Sequence, residues 1–118
     1  MLLFVYGSLL RGERNHHMLQ KAPFAGEGRT VRSFELVDLG PYPALLPGGS
    51  TSVVGELFAV PDELLLELDA FEDEREYARR EIELLDGRRV FAYVYHASAL
   101  TGSARVRSGD WRSRGSAE

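Results

Sequence analysis

Glu72 and the segment Tyr6-Gly7-Ser8-Leu9-Leu10 are the residues of this chain whose types and setting could do chemistry. The loop follows an unbroken apolar run, Leu2 to Val5, which suits a strand covered on both faces, and Gly7 lets the backbone turn where a Cβ would obstruct it. A bend of this kind can point several N–H groups into one concave spot, which suits a carboxylate or a developing oxyanion. A Gly-Ser turn after a strand is, taken alone, often only a turn. Glu72 ends a helical stretch from Pro61 to Phe71, in which Leu64, Leu65, Leu68 and Phe71 define one face. At about 100° per residue, Glu72 falls roughly 50° from the centre of that face. Asp69, Asp73, Glu63 and Glu74 project further round toward water, Glu67 and Glu76 sit near the boundary, and Leu66 points outward. A carboxylate against an apolar wall has its charged form disfavoured, which raises its proton affinity toward the range useful for acid–base work. The plain alternative is a helix-end glutamate turned to solvent.

Other residues carry weaker signals. Ser8 lacks the second glycine of a nucleophile elbow. His16 and His17 are adjacent, so on a helix they diverge too far to share a metal, and no metal or cofactor is expected. Tyr93 and Tyr95 share one strand face, where filling the core is the default role. Tyr77 is balanced between packing and ligand contact, Arg79 reads as half of a surface salt bridge, and His96 as a polar strand end. Asp110-Trp111 reads as a pin for the C-terminal segment.

The elements that must position these residues are five strands and two helices. The strands are Leu2 to Tyr6, Val31 to Val37, Val53 to Val60, Arg79 to Leu85 and Arg89 to His96. A short helix covers Asn15 to Gln20 and stops before Pro23. In the helix from Pro61, the proline suits the first helical position, and Asp62 and Glu63 favour the positive end of the dipole. Leu39 to Pro43 and Pro47 to Ser50 read as loop. Arg80, Ile82 and Leu84 alternate with Arg79, Glu81 and Glu83, giving a dry and a wet face, and Asp86-Gly87 makes a hairpin turn. The domain is expected to span residues 1–112, with 113–118 a frayed tail.

Length and composition bound the function. With 118 residues there is room for one domain, and 44% hydrophobic and 27% charged residues place the chain among ordinary globular proteins. The formal charge of −4 argues against a nucleic-acid partner. The absence of cysteine removes disulfides and thiolate nucleophiles and is compatible with a reducing compartment. No run approaches the roughly 20 residues of a membrane span, and Met1 to Val5 lacks the build of a signal peptide. The expected setting is the cytoplasm, with no membrane partner.

The ordered set of motifs resembles a known family. Leu3-Phe4-Val5-Tyr6-Gly7-Ser8-Leu9, Arg11-Gly12, Asn15-His16, Gly55-Glu56-Leu57-Phe58, Leu68-Asp69-Ala70-Phe71-Glu72, Tyr77-Ala78-Arg79, Tyr93-Val94-Tyr95 and Ser108-Gly109-Asp110-Trp111 are similar to the γ-glutamylcyclotransferase-like, or AIG2-like, proteins. The motifs are closest to the short branch that includes γ-glutamylamine cyclotransferases and bacterial members. The resemblance implies an α+β fold, a small mixed β-barrel flanked by short helices. It also implies a substrate-cradling loop at Tyr6, Gly7, Ser8 and Leu9, Glu72 as the acid–base carboxylate, and Tyr77 at the cavity. The implied reaction cyclises a small γ-glutamyl amine or amino acid to 5-oxoproline without a cofactor or metal. The competing reading is a non-catalytic module that binds a small carboxylated metabolite in the same cavity.

Overall fold

In the computed structural model, which describes residues 1–95 and 104–114, the strand β1 (Leu2–Val5) is the axis of a five-stranded sheet. β5 (Val54–Ala59) lies antiparallel on one side of it and β7 (Arg89–Tyr95) parallel on the other. β2 (Phe24–Arg29) and β6 (Tyr77–Glu83) form the edges, giving the order β2-β5-β1-β7-β6. Leu3, Phe4 and Val5 are all buried, as a strand covered on both faces requires. A second sheet, β4 (Pro43–Pro47), β3 (Phe34–Asp38) and β8 (Ala104–Arg105), packs β4 against β7. The architecture is α+β, with mixed sheets and one α-helix.

The five-stranded sheet is not a continuous barrel. Its edges meet at one end only, through a bridge between Thr30 and Leu84 and the backbone bonds Val31 N–H to Glu83 O (3.1 Å) and Leu85 N–H to Arg29 O (2.9 Å). The hairpin between β6 and β7 forms as expected. Gly87 takes a φ of 92° in its turn, and the Asp86 carboxylate accepts the Arg88 N–H at 3.0 Å. Within β6, Ile82 is buried and Glu81 and Glu83 are exposed, but Arg80 is exposed too, so the dry face of the alternation begins at Ile82, two residues later than expected.

Several elements differ from the sequence reading, for physical reasons. β2 has the sequence Phe-Ala-Gly-Glu-Gly-Arg, with neither apolar alternation nor β-branched residues, and it is held by its ladder to β5 with a bulge near Gly26. β4 lies in the proline-rich stretch read as loop. Its prolines stand at its two ends and it is an edge strand, where a missing N–H costs no ladder bond. The first helix is a single 3₁₀ segment, His16–Leu19.

The long helix, α1, spans Asp62–Asp73 and so runs two residues past Phe71. Pro61 is its extended N-cap rather than its first helical residue. Leu65, Leu68 and Glu72 are its buried residues, while Leu66 is exposed. Glu76, at φ 70°, turns the chain out of the helix and into β6. Trp111 is 1% exposed and Asp110 caps the short helix Trp111–Ser113, so this segment is docked. Arg114 stacks on Trp111, and ordered contacts therefore extend past residue 112. His96 and the last four residues of the tail lie outside the described residues.

Candidate active site

The loop after β1 and the end of α1 face each other across one cavity. Tyr6, Gly7, Ser8 and Leu9 form one wall, and Glu72, Arg75, Tyr77, Tyr93, Tyr42 and Pro43 close the others, around about 380 Å³ of free space that is partly open to solvent. All six residues singled out from the sequence, Tyr6, Gly7, Ser8, Leu9, Glu72 and Tyr77, are therefore brought together. Glu72 stays helical, one turn beyond Leu68 on the buried face, and this places a carboxylate where a leucine would otherwise continue the core.

The loop is braced from behind. Its own bonds run from Leu10 N–H to Gly7 O (3.0 Å) and from Asn15 N–H to Ser8 O (2.8 Å). They use carbonyls as acceptors, and no bond within the turn engages the N–H groups of Gly7, Ser8 and Leu9, three residues that line the cavity. The Asn15 side-chain amide donates to Ser8 Oγ (3.0 Å), and His16 Nδ1 bonds the Leu9 carbonyl (2.9 Å) while its ring packs on Phe58. With an amide as its partner and no base beside it, Ser8 Oγ is not set up as a nucleophile. A Cβ at Gly7 would overlap Cδ and Cγ of Pro43, so the glycine is required by close approach and not by a left-handed backbone.

Two buried carboxylates have opposite environments. Glu56 accepts the backbone N–H of Arg11 (2.9 Å) and its Nε (3.0 Å), and Arg112 approaches within 3.4 Å. Burial pushes this carboxyl up, but the Arg11 hydrogen bonds and the two guanidinium charges outweigh it and hold it below the usual range. Glu56 thus ties the chain just after this loop to the C-terminal segment. Glu72 is 7% exposed, and its carboxylate engages no hydrogen bond or ion pair among the described residues. Desolvation raises its pKa from 4.5 to about 7, with the nearby Arg75 charge opposing the rise only in part. A carboxyl poised near neutrality in a cavity is what proton transfer in both directions needs.

The tyrosines around Glu72 are anchored by their hydroxyls. Tyr77 donates to the Pro43 carbonyl, Tyr6 to the Tyr93 carbonyl, and Tyr93 to Asp69 Oδ1 at 2.6 Å. Burial pushes all three phenols upward, with the Glu72 charge contributing, so they stay protonated. Tyr77 therefore both lines the cavity and fixes Pro43 against Gly7. Arg79 forms the expected salt bridge, to Asp69 at 3.0 Å. Asp69 is thereby drawn out of the solvent position that the helical wheel assigns it. Arg75, Tyr42 and Pro43 went unrecognised in the sequence. Arg75 follows Glu72 by three residues, a spacing that could have found it, whereas Tyr42 and Pro43 arrive from a separate sheet and leave no local signal.

The family model for gamma-glutamyl cyclotransferase, AIG2-like, matches residues 3–113. The chain belongs to this family. Among the relatives of this AIG2-like chain, the Escherichia coli K12 gamma-glutamylcyclotransferase family protein YtfP is 36% identical over 115 residues, covering 97% of this chain and 98% of that protein. A mouse gamma-glutamylaminecyclotransferase is 44% identical over 80 residues, which make up 60% of this chain and 54% of the mouse protein. The crystal structure of a mouse AIG2-like protein superimposes with a TM-score of 0.74 at 37% identity, covering 83% of this chain and 78% of that one. The match over residues 3–113 takes in the loop, the helix and the C-terminal pin.

Proposed function

We propose that this AIG2-like protein cyclises a γ-glutamyl amine or amino acid to 5-oxoproline and releases the free amine, with Glu72 as general acid and base. A γ-glutamyl amide carries its own nucleophile, since its α-amino nitrogen can reach the γ-carbonyl carbon and close a five-membered lactam. The new C–N bond replaces the amide C–N bond that breaks. Glu72 takes a proton from the α-ammonium and returns it to the departing nitrogen, and the second ammonium proton follows to the released amine. In this reading the amides of Gly7, Ser8 and Leu9 stabilise the tetrahedral oxyanion or hold the α-carboxylate. Confinement in the cavity favours the folded-back conformation that the attack requires.

The observation that carries this reading is the Glu72 carboxylate, unpaired among the described residues, in one cavity with the loop Tyr6 to Leu9. In the test, 5-oxoproline release and ligand affinity are measured for Glu72→Gln, with Asp73→Asn and Glu74→Gln, both exposed, as controls for bulk charge. Glu72→Gln is expected to lower turnover by roughly 10²–10⁴-fold with affinity retained. Wild-type turnover in that variant would defeat the mechanism. A wild-type protein that binds γ-glutamyl compounds but cyclises none of a broad panel would be a binding module.

A further inference from the structure

We propose that Arg75 and Tyr42 form a subsite at the cavity rim for a carboxylate on the amine half of the substrate, so that the protein selects γ-glutamyl amino acids over γ-glutamyl amines that lack that carboxylate. The inference rests on the cyclotransferase reading of the same cavity and adds which leaving group it takes.

Arg75 is the one cation among the described residues that line the cavity. It stands just past the end of α1, with its backbone N–H bonded to Glu72 O at 3.0 Å. Its guanidinium carbon lies 3.8 Å from the Phe71 ring centroid and 5.5 Å from that of Tyr42. Arg11, Arg79 and Arg112 are engaged in ion pairs, but the Arg75 side chain makes no hydrogen bond or ion pair among the described residues. Stacking on an aromatic face holds a guanidinium in place and leaves its edge donors free, in the planar fork that fits a carboxylate.

The ligand's geometry decides which carboxylate that is. The glutamyl half brings an ammonium and a carboxylate, and the interior already offers partners for both, in Glu72 and the loop amides. The amine half must leave through the opening. Arg75 and Tyr42 are half-buried, whereas Glu72 is buried, so the cation lies on the exit side of the carboxylate. A γ-glutamyl amino acid places its second carboxylate on the carbon next to the departing nitrogen, within reach of that rim.

The experiment compares γ-glutamyl-alanine with γ-glutamyl-ethylamine, which differ only by that carboxylate, in wild type, Arg75→Gln and Arg75→Lys. Wild type is expected to show the higher kcat/KM for γ-glutamyl-alanine. Arg75→Gln should shrink the ratio by roughly tenfold, the scale of one lost charge-assisted hydrogen bond, with Arg75→Lys intermediate. An equal fall on both substrates would assign Arg75 to the glutamyl half and overturn the subsite, as would an unchanged ratio. If neither compound is turned over, the cyclotransferase reading is judged separately on the broad panel, and calorimetric affinities for the same pair take the place of rates. A preference for γ-glutamyl-alanine that Arg75→Gln abolishes would then retain the subsite, and its absence would overturn it.

Discussion

Replacing Glu72 with glutamine should stabilise this protein at neutral pH and above even as it removes turnover. Glu72 is 7% exposed, its carboxyl is unpaired among the described residues, and burial raises its pKa from 4.5 to about 7. Its folded form therefore holds the proton more tightly than its unfolded form. Between these two values the folded state keeps a proton that the unfolded state has lost, so stability falls as pH rises through the window and levels off above it. The ionised group then costs about 3 kcal/mol relative to a neutral one. Glutamine has the shape of the protonated acid and does not titrate. The stability difference between variant and wild type should be near zero below about pH 4 and grow to about 3 kcal/mol by about pH 8. Urea unfolding of both proteins at several pH values measures it, and all other titrating groups cancel in the comparison. A difference that does not change with pH, or a variant less stable than wild type at the alkaline end, would refute the claim that Glu72 is buried and unpaired.

Two further outcomes follow from close packing. Gly7→Val must displace Pro43, whose carbonyl accepts the Tyr77 hydroxyl. Overpacking of this kind costs about 1–3 kcal/mol, and affinity for 5-oxoproline, read by titration calorimetry, should fall further than stability does. Unchanged affinity would take the loop out of the site. Trp111→Ala removes an aromatic that is 1% exposed and should cost about 3–5 kcal/mol in chemical denaturation, whereas a loss below about 1 kcal/mol would mean that the C-terminal segment does not depend on it.

What could be read from the chain was whatever a local pattern encodes. The run Leu2 to Val5 has to be a buried strand because it offers no polar face, and the helix after Pro61 announces its apolar side by spacing alone. That spacing also put Glu72 nearest the core. The Asp86-Gly87 turn fixed a hairpin, because a left-handed residue is needed there and glycine supplies it. The same local logic assigned β4 to loop, because a proline is penalised only where its N–H would be needed, and no local pattern marks an edge strand. It left out β2, whose glycines are tolerated because the neighbouring β5 supplies the pairing. It could not show that Arg79 and Tyr93 draw Asp69 into a hydrogen-bonded cluster.

The sequence by itself determined the family, the main strands, the helix and the place of Glu72 on that helix's core side. Only the tertiary structure decided that Glu56 is paired while the Glu72 carboxylate has no partner among the described residues, that Gly7 is required by Pro43, and that Arg75 and Tyr42 meet at the rim. A residue's proton affinity and its partners are set by neighbours distant in the chain, and their positions are fixed only when the sheets and the helix have packed.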